Sequence, residues 1–249
     1  MNTLLKIGLT VIALSAAQSA AALDLKSMSA DEKAAFGDAV RSYLLENPEV
    51  IFEAVDVLKA QQAESEMVED ATLVEVNAQE IFYDGYSYVG GNPEGDITLV
   101  EFLDYRCGYC RKAHADVAKL LETDGNIRFV IKELPILGEA SLEFSKFAVA
   151  VKQVHGNDAY GSVHEALMAY TGDPDQDTLV QLANTFGLDA PAILETMQSP
   201  AVLQEIAATQ SLAQRLRING TPTFVLQDEL IRGYVPYDAL KDIVAQKRD

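Results

Sequence analysis

Residues 99–112 read LVEFLDYRCGYCRK, and this stretch constrains the chain more than any other. Leu99, Val100, Phe102 and Leu103 form a short apolar run of strand character. Beyond it, Cys110, Ala113, Val117, Leu120 and Leu121 recur at helical spacing. Cys107-Gly-Tyr-Cys110 therefore marks a strand-to-helix junction, and it holds the only two cysteines in 249 residues. Cys107 falls where unpaired backbone N–H groups and the positive end of the helix dipole favour an anion. The thiolate is the reactive form of cysteine. Arg106, Arg111 and Lys112 add positive charge, and Cys110 lies one turn on, on the stripe that faces the core. This predicts an attacking thiolate at Cys107 and a shielded resolving thiol at Cys110.

Two other readings of the motif compete. A CxxC can be half a zinc site, but there is no second CxxC, so four cysteines within one chain are excluded. A site of two cysteines and a histidine would draw on His114, His155 or His164. His114 is seven residues past Cys107, roughly 10 Å along a helix, and the face it shares with Cys110 reads as buried. The other reading is an inert structural disulfide, but a link between residues three apart closes almost no loop.

The chain opens MNTLLKIGLTVIALSAAQSAAALD. Lys6 and the amino terminus make a thin positive region, residues 7–17 an apolar one, and Ala20-Ala21-Ala22 a small-residue cleavage site, most simply after Ala22. The apolar run is shorter than the about 20 residues a membrane span needs. The expectation is a cleaved signal peptide, 1–22, and an exported mature protein without stable membrane insertion. An oxidising compartment permits disulfides. Net charge is −19 and becomes −20 without residues 1–22, which contain one charged side chain, Lys6. Such acidity excludes a nucleic-acid binder, which needs a basic face. The remaining 227 residues suffice for one core plus an appendage.

Residues 29–68 read as two amphipathic helices. Phe36, Val40, Tyr43 and Leu44 stripe the first, Asn47-Pro48 breaks the run, and residues 50–58 give the second a seam. Such short helices cannot bury their stripes alone; they pack on the domain or on copies of themselves. A linker is expected near residues 68–80 and a short edge strand around 79–89. Residues 96–104 and 127–132 read as buried strands flanking a helix over 107–122. Residues 138–218 are almost purely helical in pattern. His155 and His164 lie there and read as surface or capping residues, with no site around either. Residues 223–226 and 230–234 form a hairpin signal, and Pro236 opens a last helix. From spacing alone, Pro222 is a proline at the start of a strand.

Strand, CxxC helix, strand, helical block, hairpin and final helix together resemble the thioredoxin fold. The helical block resembles the DsbA branch of exported thiol–disulfide oxidoreductases. YLLENPEVI (43–51), VEFLDYRCGYC (100–110), LPILG (134–138) and GTPTF (220–224) resemble the members with an N-terminal helical extension, the ScsC-like proteins. The fold class expected is α/β: a thioredoxin fold with an inserted helical domain at about 138–218, preceded by an N-terminal helical extension. The boundaries implied are 23–75 for a helical oligomerisation region and 76–249 for the catalytic domain. The resemblance further implies a cis bond before Pro222, substrate held in strand-like register by the backbone of Thr221 and Pro222, and a proton-transfer role for Glu101, with Lys132 as its ion-pair partner. Two departures stand out. The dipeptide between the cysteines is Gly-Tyr rather than Pro-His, so a strongly oxidising poise does not carry over. Thr221 rather than Val precedes the proline, as in the disulfide isomerases.

The expected function is a periplasmic thiol–disulfide oxidoreductase that exchanges disulfides with cysteine-containing client proteins, leaning towards isomerase. A separate redox partner and no organic cofactor are implied. A homo-oligomer, with a trimer favoured by the resemblance, fits the N-terminal helices. The rivals are a monomeric dithiol oxidase and a copper- or zinc-binding protein with the CxxC as soft ligands.

Overall fold

The computed structural model describes residues 27–248; the signal-peptide reading lies outside them. The chain divides into two compact units between Lys59 and Ala60.

In the first unit, Ser29 caps α1 (Ala30–Glu46) through a capping box with Glu32. Asn47 ends α1, and α2 (Glu49–Val76) begins beyond it. No residue of α1 is buried. Phe36, Tyr43, Leu45, Ile51, Phe52, Val57 and Leu58 all stand exposed.

The second unit takes the rest of α2, α3 (Ala78–Phe82), β1 (Tyr88–Gly91), β2 (Ile97–Leu103), α4 (Gly108–Asp124) and β3 (Ile127–Glu133). Five helices follow: α5 (Glu139–His155), α6 (Asn157–Ala169), α7 (Gln176–Thr185), α8 (Ala190–Thr196) and α9 (Pro200–Arg215). The hairpin β4 (Thr223–Leu226) and β5 (Glu229–Arg232) and then α10 (Tyr237–Arg248) complete it. The sheet order is β1-β3-β2-β4-β5. The central strands β2 and β3 are parallel, and β4 pairs antiparallel with β2. This is the mixed sheet of a thioredoxin fold with helices inserted between β3 and β4.

The β2–α4–β3 unit forms for local reasons. Every residue of β2 except Thr98 is buried, as a strand covered on both faces requires. On α4, Cys110, Ala113, Val117 and Leu120 make the buried stripe. Gly125 ends α4 at φ 70°, a left-handed position that a side chain would strain. Side chains on the two faces of β2 enter two separate cores. Leu99 and Leu103 join the cysteines, α4 and the inserted helices, while Val100 and Phe102 pack with Val74, Ile81 and Leu216.

The linker expected over 68–80 is helix instead, since α2 runs to Val76. Val74 there is buried in the second core. Glu69 bonds Arg217 at 2.7 Å, and Asp70 holds Arg232. Acidic residues that read as a polar linker are ion-pair partners. The edge strand is β1; the first part of the stretch expected to hold it is α3.

Candidate active site

Cys107 is the N-cap of α4, with extended backbone at φ −76° and ψ 116°. Its carbonyl accepts from the N–H of Arg111 at 3.2 Å, and its own N–H donates to the Asp104 carbonyl at 3.0 Å. Asp104 is fully buried and clamps the turn. One carboxylate oxygen accepts from the N–H of Arg106 at 2.8 Å; the other accepts from Ile136 and Leu137, at 2.8 and 3.0 Å. The CxxC turn is thereby tied to the loop after β3. Arg111 Nε donates to the Tyr105 carbonyl at 3.0 Å, and Arg106 Nη1 to the Gly172 carbonyl at 2.8 Å.

The hairpin brings residues 114 positions away to the first thiol. Phe102 of β2 pairs with Thr223 of β4, which sets the preceding turn beside the start of α4. Cys107 Sγ lies 3.1 Å from the Thr221 carbonyl, and the Thr221–Pro222 bond is cis. Both thiols are free. Cys107 retains 7% exposure and Cys110 none, so only the first can meet a large reactant directly. Burial, and then the charge of Glu101, push the Cys110 thiol up.

Glu101 sits beneath the pair on β2, 2% exposed, and its Oε1 has no hydrogen-bond partner among the described residues. Burial, reinforced by Cys107, pushes its carboxyl up to about 8. A buried carboxyl with that affinity for a proton can exchange one with a thiol near neutral pH. Lys132 is not its partner. In the parallel register Glu101 lies opposite Ile131, and Lys132 lies opposite Phe102, so Lys132 points to the other face of the sheet. There its fully buried Nζ bonds Asp84 Oδ2 at 2.5 Å and the Glu80 carbonyl at 2.7 Å.

A buried polar cluster stands behind the turn. Glu133 accepts from Tyr105 Oη at 2.8 Å, from Tyr160 Oη at 2.5 Å and from Ser145 Oγ at 2.7 Å. Tyr105 Oη also meets His164 Nδ1 at 3.1 Å. Burial pushes Glu133 up to about 7 and holds His164 down at about 3. His164 is thus a neutral core residue, not a surface or capping one: its ring stacks on Tyr160, one turn earlier on α6, and meets Tyr105 edge-on. His155 does cap, accepting the N–H of Asp189 at 3.1 Å. His114 bonds Glu165 at 2.8 Å. Sequence reading missed Asp104, Tyr105 and Glu133. The alternation of β3 was the available signal for Glu133, which shares the inward face with Ile131.

Residues 98–245 match the family described as DSBA-like thioredoxin domain, and residues 32–64 the copper resistance protein ScsC N-terminal domain. Among solved structures, a thioredoxin-like oxidoreductase from Silicibacter pomeroyi DSS-3 is 41% identical, covering 68% of this chain and 96% of its own, with TM-score 0.64. Salmonella enterica Typhimurium BcfH is 25% identical, covering 88% and 97%, with TM-score 0.72. Disulfide bond formation protein D of Bacillus subtilis (strain 168) is 24% identical over 169 residues, 63% of this chain and 75% of that protein. The chain spans about a quarter of the length of other curated relatives. One is the Na(+)/H(+) antiporter NhaA 1 of Salinispora arenicola (strain CNS-205), 28% identical over 158 residues, of which the match covers 24%.

Proposed function

The chain belongs to the DSBA-like thioredoxin-domain family, and from that premise we propose that it is a periplasmic thiol–disulfide oxidoreductase acting on cysteine-containing proteins. One observation carries this reading: a thiol at the cap of α4, 3.1 Å from the Thr221 carbonyl, with a buried second thiol one turn on and a buried carboxyl, Glu101, beneath. Cys107 thiolate attacks a client disulfide, forming a mixed disulfide and releasing one client thiolate. Glu101 carboxylate then takes the proton of Cys110. The Cys110 thiolate attacks Cys107 Sγ, which closes the enzyme disulfide and releases the second client thiolate. Run in reverse, the same steps oxidise a client dithiol, with Glu101 returning the proton. The backbone at Thr221 and Pro222 offers an extended client segment a strand-like partner. Tyr109, Ile136 and Leu137, all exposed near the turn, supply apolar contact.

The direction proposed is isomerisation by a homo-oligomer, a trimer in the first instance. Several active sites around one cavity suit a reaction that must hold a client while its disulfides rearrange. The exposed apolar side chains of α1 and the first half of α2 supply a self-association surface. The region ahead of residue 23 is read as its export signal. Purified mature protein should reduce insulin and reactivate scrambled ribonuclease. Neither activity exceeding that of Cys107→Ser would overturn the reading, and insulin reduction without reactivation would leave an oxidoreductase but remove the isomerase.

The matched ScsC description raises a metal-binding alternative. Among the described residues no three His, Cys, Asp or Glu side chains gather in a metal-binding group. Among them a soft cation would find the two thiols of the CxxC pair without a third clustered ligand. Native mass spectrometry of the reduced protein with Cu(I) or Zn(II) tests it: a stable one-to-one complex at micromolar metal would favour the alternative.

A further inference from the structure

β3 sends alternate side chains to opposite faces of the sheet. Ile127, Phe129 and Ile131 enter the core shared with the cysteines, while Val130 packs in the other core and Arg128 shares its parity. On that second face, at the β1–β3 edge, lies a cleft of about 630 Å³, lined by Tyr83, Val89, Arg128 and Val130 among others. That volume lies within the range of small-ligand sites, and Cys107 and Cys110 take no part in it.

The charges of the cleft wall cancel in pairs, with one exception. Glu205 holds Lys152 with one oxygen and accepts from Gln153 Nε2 at 3.3 Å with the other. Asp84 is held by Lys132, by Ser87 Oγ at 2.7 Å and by the N–H groups of Tyr86 and Ser87. Arg128 has no such answer. Its guanidinium lies over the Tyr83 ring, 5.4 Å from the centroid, and its buried Nη1 has no hydrogen-bond partner among the described residues. A buried N–H without an acceptor is rare and costly, and so marks where a partner belongs. The other ionisable side chain with a buried atom lacking a partner among the described residues, Glu101, belongs to the cysteine site.

We propose that this cleft binds a carboxylate carried on an aromatic or branched apolar body. The planar guanidinium fork matches a carboxylate in two parallel hydrogen bonds. The rings of Phe82 and Tyr83 and the side chain of Val89 receive the body. A phosphate fits worse, because its second charge would face Asp84 and Glu205 with no further unpaired cation on the wall. The carboxylate belongs either to a free small acid or to the last residue of a polypeptide.

The test titrates the mature protein with N-acetyl-L-phenylalanine, with its uncharged amide, and with a short peptide ending in a free phenylalanine carboxylate, followed by calorimetry and NMR. The acid should bind saturably and shift the Tyr83 and Val130 resonances, and the amide should bind at least about tenfold more weakly, the loss of a charge-assisted pair. Arg128→Gln should lose acid binding to the same degree and keep insulin reduction, with Arg128→Lys between it and the parent. Binding of the acid alone assigns a small-molecule site, and binding of the peptide alone a chain-terminus site. Failure of both at millimolar concentration, equal binding of acid and amide, or undiminished binding by Arg128→Gln would overturn the proposal. Since the cleft is remote from the thiols, none of these results bears on the exchange chemistry.

Discussion

At the residue scale the site is an asymmetry between two thiols and a carboxyl. Cys110 has no exposure and its proton is held by burial and by Glu101, whereas Cys107 reaches the surface beside Thr221. Reduced protein should therefore take up one equivalent of iodoacetamide near neutral pH, at Cys107, as peptide mapping by mass spectrometry will reveal. Modification of Cys110 first would reverse the proposed roles. The carboxyl makes the second difference. In Glu101→Gln the Cys110 proton loses its acceptor, so resolution of a Cys107–glutathione mixed disulfide should slow about tenfold or more. The pH dependence of that step, which follows Glu101 near 8 in the parent, should flatten. An unchanged profile would make Glu101 a structural residue only.

At the element scale, β3 and α6 share a buried carboxyl that titrates. Burial raises Glu133 to about 7 in spite of three hydroxyl donors. An acid whose folded pKa is raised stabilises the fold fully below its unfolded value and loses that contribution as pH climbs through the folded one. Between pH 4.5 and 7 the loss from Glu133 is about 3 kcal/mol, at about 1.4 kcal/mol per pH unit. Glu133→Gln keeps the shape without the charge, so its urea midpoint should fall less than the parent's between pH 5 and 7.5; equal slopes would refute the assignment. These elements were unequally legible in the sequence. Residues 99–112 disclose β2 and α4, because a doubly buried strand and an amphipathic helix leave unambiguous periods. The end of α2 was hidden, since Glu69 and Asp70 look like linker until Arg217 and Arg232 arrive from the far end of the chain. Lys132 and His164 were misassigned for a related reason: their partners, Asp84 and Tyr105, are long-range, and periodicity carries no information about which polar groups meet.

At the scale of the whole molecule, the division between Lys59 and Ala60 determines how the N-terminal region is to be tested. A deletion of residues 23–75, the boundary suggested by sequence, would remove Val74 from the second core and Asp70 from Arg232. That truncation should lose stability through the vacated core position and report on folding, not on assembly. A deletion ending at Lys59 leaves those contacts in place and removes the exposed side chains Phe36, Tyr43, Leu45, Ile51, Phe52, Val57 and Leu58. It should be folded and monomeric and should reduce insulin as the parent does, because the hydrogen-bond partners of Cys107 among the described residues, Asp104, Arg111 and Thr221, all lie beyond residue 60. It should fail to reactivate scrambled ribonuclease if isomerisation depends on several sites held together in one assembly. Light scattering gives the decisive comparison. If the full mature protein is monomeric at micromolar concentration, oligomer and isomerase fall together. If it is an oligomer and the Lys59 truncation reactivates ribonuclease equally well, the assembly stands, and isomerase activity belongs to the single active site with its Thr221–Pro222 turn.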